Sequence, residues 1–120
     1  MTPCAVPLSH ATRLLNHGPT VLVSSAHDGR SNLMAAAWNM PLDFDPPKLA
    51  VVIDKSTFTR GLIEASGQFV VAVPTRAQAT LTLAVGNRSG RDGDKFAALG
   101  INTLPASRVD AGSRRMGLTC

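Results

Sequence analysis

The sequence predicts a mainly β domain with helices: a small antiparallel sheet or barrel with short helices at its ends. Three observations predict it. An Asp28-Gly29 step joins two apolar runs, the strongest short-range signal for a hairpin. The strand-like runs do not alternate with long helices, as a doubly wound parallel sheet requires. At 120 residues and 44% hydrophobic content, the chain has the size of one domain and enough apolar residues for a core.

Element by element, residues 1–8 read as a loose terminus. A short helix begins at Ser9 as N-cap, carries Leu14 and Leu15, and ends near Gly18-Pro19. Thr20 to Ser25 is the first strand, and Ser31 to Met40 the second. Ala35-Ala36-Ala37 favours helix on intrinsic propensity, but small side chains also suit a strand against which something flat lies. Pro41 and Pro46-Pro47 break the chain into a loop. Lys48 to Ile53 is apolar nearly throughout and reads as a third strand buried on both faces. A short helix follows from Arg60 to Ala65, closed by Gly67. Phe69 to Val73 is the fourth strand, ended by Pro74. Thr75 and Gln78 stand at capping-box spacing, which starts a helix at Arg76 that runs to about Ala84 and stops at Gly86. After a polar loop from Asn87 to Gly93, Asp92 or Asp94 caps a last helix through Phe96 and Leu99. Ile101 to Leu104 is a short strand, and Ala106 to Cys120 shows no period and reads as a tail.

Charge and motifs then narrow the function. The formal net charge is +4, and arginine supplies nine of the twelve basic residues, in runs of no more than two. This fits either a mildly basic surface or an attraction for phosphates. Aromatic residues are 4% of the chain, too few for a base-stacking platform, so no nucleic-acid partner is expected. Cys4 and Cys120 form no CxxC or Cys/His cluster, and His10, His17 and His27 share no ligand spacing, so no metal is expected. No apolar run approaches the ~18 residues of a membrane span, and no signal-peptide pattern opens the chain. A cytoplasmic protein without a membrane partner is the expectation. GxGxxG, the P-loop and the GxSxG elbow are all missing, and Glu64 is the only glutamate. No side chain stands out as catalytic, which leaves the chemistry to a cofactor.

Three segments carry candidate binding groups. Lys55-Ser56-Thr57-Phe58-Thr59 brings three hydroxyls, a lysine and first-turn amides to a helix start, which suits an anion and equally suits plain N-capping. Asn32 to Trp38 is a small-residue stretch that lets a planar ring approach the backbone, or else a tightly packed strand anchored by Trp38. Ser89 to Phe96 either wraps a ligand with Arg91 and Lys95 or is a solvated helix start.

Taken in order, five motifs resemble the flavin reductase-like domain, of the flavoredoxin type of FMN-binding split barrel. They are Asn32-Leu33-Met34-(x)3-Trp38, Asp45-Pro46-Pro47, Lys55-Ser56-Thr57-Phe58-Thr59, Gly67-(x)-Phe69-Val70-Val71-Ala72-Val73-Pro74 and Ser89-Gly90-Arg91-Asp92-(x)2-Lys95-Phe96. Order and spacing match over roughly residues 18–105. The resemblance implies an antiparallel split barrel that pairs as a homodimer, with FMN near the interface. It implies that Thr59, with Lys55, Ser56 and Thr57, holds the FMN phosphate. By the same resemblance Asn32, Met34, Ala35, Ala36, Ala37 and Trp38 line the isoalloxazine and ribityl chain. Lys95 would approach the flavin from the Ser89, Gly90 and Arg91 loop.

The implied function is a flavin reductase or flavoredoxin-like oxidoreductase, passing reducing equivalents between NAD(P)H or another donor and flavin. A non-catalytic FMN carrier or storage protein of the same fold is the alternative. The expected organisation is a domain over residues 1–110 and a divergent tail over 111–120, because the text from about Ala111 no longer resembles the family. No His or aromatic residue follows Phe96, so a C-terminal truncation or frame shift with missing barrel strands is expected.

Overall fold

The computed structural model describes residues 6–105 and 114–116. The central strand is β1 (Val21–His27), which pairs antiparallel with β2 (Arg30–Ala36) on one side and β5 (Val70–Ala72) on the other. Two further antiparallel pairs flank this sheet: β3 (Asn39–Phe44) with β4 (Pro47–Val51), and β6 (Thr103–Pro105) with β7 (Arg114–Met116). Helices α1 (Phe58–Ser66), α2 (Ala79–Gly86) and α3 (Lys95–Ala98) connect and cover the strands. All described pairs are antiparallel, as the sequence predicts, and the described strands do not close a barrel.

Strand β1 is buried on both faces because its alternate side chains enter two different cores. Leu22 packs with Leu33, Ala72, Val85 and Phe96. Val21 and Val23 pack on the opposite side with Leu15 and Ala36. Each of these three is fully buried, which stabilises the fold by about 1.5–3 kcal/mol apiece. The Lys48–Ile53 run expected to be buried on both faces is instead the edge strand β4, with Lys48 and Leu49 exposed. Its apolar letters gave no hint that Lys48 and Leu49 are uncovered among the described residues.

The Asp28-Gly29 hairpin forms as expected, with His27 opposite Arg30. Asp28 at φ 51° and Gly29 at φ 76° both occupy the left-handed region that a two-residue turn of this twist requires. The second expected strand, Ser31–Met40, is divided: β2 ends at Ala36 and β3 begins at Asn39. Asn39 fixes this corner, its Nδ2 donating to the Pro19 carbonyl at 2.7 Å. The expected proline loop is itself a hairpin. Pro41 lies beside a register irregularity in β3, Pro47 begins β4, and a cis Asp45-Pro46 bond sits in the turn. Proline lacks an N–H and is tolerated at such bulges and strand starts.

Helix α1 begins at Phe58, two residues before the expected start, because Thr57 caps it: its Oγ1 accepts from the Arg60 N–H at 3.3 Å. Gly67 closes it as expected. The Thr75/Gln78 capping box is present, with a 3-10 turn over Arg76–Gln78 leading into α2; Gly86 is the last residue of that helix and Asn87 its cap. Asp94 caps α3 by accepting from the Phe96 N–H at 2.9 Å. At the N-terminal end, the expected helix is a 3-10 segment over Leu8–Leu14, with Pro7 rather than Ser9 at its start. Within the expected tail, Arg114–Met116 forms β7, while the 110/111 boundary, Cys4 and Cys120 lie outside the described residues.

Replacing Gly29 with alanine forces a Cβ into the left-handed region and is expected to destabilise the protein by about 1–2 kcal/mol. Urea denaturation should show a lower midpoint at unchanged slope.

Candidate functional site

Strand β2, the turn into α1, and the stretch from α2 to α3 meet around one cavity of about 370 Å³. Asn32, Met34 and Ala35 come from β2, and Ser56, Thr57, Phe58 and Thr59 from the turn. Val85 and Gly86 close the α2 side. Arg88, Ser89, Gly90 and Arg91 form the loop side, and Lys95 the start of α3. Three cations line this cavity and no carboxylate does. Its potential therefore favours an anionic ligand.

Lys95 is 4% exposed. Its Nζ donates to the Leu33 carbonyl at 2.7 Å and the Val85 carbonyl at 3.0 Å, tying α3 to β2 and α2. These bonds use two of its three N–H donors. Burial strips water from the ammonium and pulls its pKa below the ordinary lysine value.

Asn32 is 2% exposed and donates from Nδ2 to Thr59 Oγ1 at 2.9 Å. Its Oδ1 is buried with no hydrogen-bond partner among the described residues. Gly90 packs directly on this amide. A Cβ at position 90 would lie 2.5 Å from both Asn32 Cγ and Phe58 Cδ1, so only hydrogen fits there.

The turn ahead of α1 is organised by Asp54. Its Oδ1 accepts from the Ser56 hydroxyl at 2.6 Å and the Ser56 N–H at 2.7 Å. These bonds hold its carboxyl below the usual carboxylate range. Thr57 donates its hydroxyl to the Asp54 carbonyl at 2.8 Å. A hydroxyl carries one proton, so those of Ser56 and Thr57 are committed to the turn. The N–H groups of Phe58 and Thr59, at the first two positions of a nine-residue helix, have no intrahelical acceptor. Phe58 and Thr59 line the cavity together with Arg88 and Arg91, and free amides of a first helical turn are suited to an anion. Arg91 also donates to the Ser56 carbonyl at 2.7 Å, which fastens the loop to the turn.

Most of the residues singled out in the sequence come together here: Asn32, Met34, Ala35, Ser56, Thr57, Thr59, Ser89, Gly90, Arg91 and Lys95. Others do not line the cavity. Ala36 is buried in the opposite core with Val21 and Val23. Ala37 and Lys55 are exposed outside it. Trp38 is 75% exposed, neither lining the cavity nor anchoring a core. Phe58, Val85, Gly86 and Arg88 join the wall without having been singled out as ligand contacts. Phe58 and Arg88 sit inside or beside the motifs already quoted. Val85 and Gly86 carry no polar signal and are found only through the packing of α2 on β2. Among the described residues no group of three or more His, Cys, Asp or Glu is placed to hold a metal. No described helix is long and apolar enough to cross a membrane.

The model of the flavin reductase like domain family matches residues 13–114. The chain belongs to this family. The uncharacterised protein YddH of Escherichia coli (strain K12) is 55% identical over 98 residues, covering 80% of this chain and 52% of its own. Among solved structures, an FMN-binding domain of a flavin reductases-like enzyme from Shewanella baltica OS155 is 50% identical with a TM-score of 0.86, over 94% of this chain and 59% of that one. The flavoredoxin of Desulfovibrio vulgaris (Miyazaki F) is 37% identical with a TM-score of 0.76, over 83% of this chain and 54% of that one. The fold is thus the family's split barrel, with the chain spanning about half the length of the curated relatives it matches.

Replacing Lys95 with methionine leaves the Leu33 and Val85 carbonyls without this donor and is expected to cost about 1–3 kcal/mol of stability. The pH dependence has a defined sign. Because the folded pKa lies below the unfolded one, the unfolded chain holds more protons between the two values. Stability contributed by this group therefore rises as pH climbs toward the ordinary value of 10.5. Denaturation at several alkaline pH values should show that rise in the parent protein and its loss in Lys95→Met.

Proposed function

We propose that this flavin reductase-like chain binds FMN in the cavity between β2, α1 and the Ser89–Arg91 loop and acts as a flavin-dependent oxidoreductase. The observation that carries the reading is a cavity walled by Arg88, Arg91 and Lys95 without a carboxylate, at the N-terminus of α1. Two further features fit the group. The buried Asn32 Oδ1 lacks a donor, and a flavin nucleotide offers both N–H and O–H donors. Ala35 and Gly86, with at most a methyl group for a side chain, leave part of the wall low enough for a flat ring to approach.

When bound, FMN supplies the electron-transfer chemistry, taking reducing equivalents from NAD(P)H or another donor. The protein's part is positioning and electrostatics. The Phe58 and Thr59 amides, with Arg88 and Arg91, hold the phosphate. Ser56 and Thr57 shape that cradle through Asp54 rather than by donating to the ligand. Asn32 orients Thr59 and accepts from the ligand. Lys95, fixed on two carbonyls, keeps a positive charge at the cavity wall, which favours electron-rich states of whatever lies against it. The same reading places the protein in the cytoplasm, where its cysteine usage fits a reducing compartment.

Anaerobic titration is the test. The purified protein should take up FMN, with quenched flavin fluorescence, and NAD(P)H should bleach the yellow complex. Uptake without bleaching by either nucleotide would favour the carrier role, and no uptake would overturn the reading. Arg88→Ala combined with Arg91→Ala should weaken FMN at least about tenfold, since each lost charge-assisted bond is worth roughly 1.5–3 kcal/mol.

A homodimer belongs to the same reading. Trp38, Met40, Leu42, Phe44 and Val52 leave an apolar strip exposed along β3 and after β4. Such strips mark association surfaces, and a second copy is the occupant the family resemblance implies. Light scattering should give twice the chain mass for the parent and the single mass for Trp38→Lys combined with Phe44→Lys.

A further inference from the structure

A second cleft of about 300 Å³ adjoins the first, sharing Phe58, Gly90 and Arg91 as a common wall. Its far side is the tip of the β1–β2 hairpin, Gly29, Arg30 and Ser31, and its floor the loop at Gly93 and Asp94. Arg30 lines the cleft with its Cζ 4.7 Å from the Phe58 ring centroid. That contact holds the guanidinium over an aromatic face without neutralising it. Neither Arg30 nor Arg91 makes a salt bridge among the described residues, whose two ion pairs are Lys48–Asp43 and Arg60–Glu64. The one carboxylate in the lining is Asp94, which accepts from the Phe96 N–H as the cap of α3. The lining thus carries two guanidiniums to one engaged carboxylate, with one arm of Arg91 already donating to the Ser56 carbonyl.

We infer that this cleft is a second anion subsite, taking a phosphoryl group between Arg30 and Arg91 beyond the one proposed for FMN. Arginine suits the task because its planar fork pairs two N–H groups with two phosphate oxygens. Gly29 and Gly93 would meet nothing within 4 Å if given a Cβ, so the cleft stays open for the remainder of a nucleotide. Arg91 lines both cavities, so a dinucleotide with one phosphate at α1 reaches the second subsite across it. Two sources present the same chemistry: the distal phosphate of a flavin dinucleotide, or the diphosphate of a separately bound nicotinamide nucleotide. The inference goes beyond the FMN reading and is testable without it, since the cleft and its arginines stand whether or not flavin occupies the first cavity.

ADP is the direct probe, titrated calorimetrically into the full chain and into Arg30→Gln. Arg30 is exposed, and unchanged circular dichroism checks that the variant folds. The parent should bind ADP saturably, Arg30→Gln at least tenfold more weakly, and Arg30→Lys in between. No saturable ADP binding, or equal binding to parent and Arg30→Gln, overturns the inference. FMN and FAD titrations identify the source. Tighter binding of FAD than FMN, abolished by Arg30→Gln while FMN affinity stays within twofold, assigns the phosphate to the flavin dinucleotide. Equal FAD and FMN affinities alongside Arg30-dependent ADP binding assign it to a separate nucleotide. Arg30-dependent ADP binding without FMN uptake removes the flavin reading and leaves this one standing.

Discussion

The site depends on one ammonium group. Lys95 reaches inward from a single turn of helix and binds carbonyls of β2 and α2, which no other described contact joins through a charged group. Without it the two walls would meet through apolar packing alone, at Val85, Leu33 and Ala35. Hydrogen bonds from a charged donor are among the stronger ones available, and burial shields them from competing water. The same burial makes the charge expensive to hold, which is why the group gives up its proton more readily than a lysine in water. A scaffold element and an electrostatic element are thus one side chain.

Around that fixed point the cavity is made rigid by polar groups that bind each other. Asp54 gathers Ser56 and Thr57, Thr57 caps α1, and Arg91 latches the following loop onto Ser56. Hydroxyl side chains that looked like ligand donors in the sequence serve the shape of the turn. Amides already held in a helix and arginines fastened to a turn lose little freedom on meeting a ligand, which is what makes such a wall suited to binding.

Much of this was legible in the letters. The Asp28-Gly29 turn, the Thr75/Gln78 box and the Gly67 stop have local causes, and local causes are readable in sequence. The three site segments were also found, because their residue types and order resemble a family. What failed depended on the other side of a contact. Lys48–Ile53 looked interior because it is apolar, yet Lys48 and Leu49 are exposed among the described residues, and only its later part, Val51 and Ile53, packs against the core. Trp38 suggested a core anchor by its size and is on the surface. Ala36 sits one position from Ala35 in a pleated strand and so belongs to a different core. The pairing of Arg114–Met116 with Thr103–Pro105 left no periodicity to read, since three-residue strands are too short to show one.

Gly90 is the point at which three separate stretches of chain meet most closely. With a side chain's first carbon excluded by both Asn32 and Phe58, no single replacement there is accommodated while those two keep their size. Any side chain at 90 would have to displace both the Asn32 amide and the Phe58 ring, so the shapes of three stretches far apart in the chain constrain one another at this point.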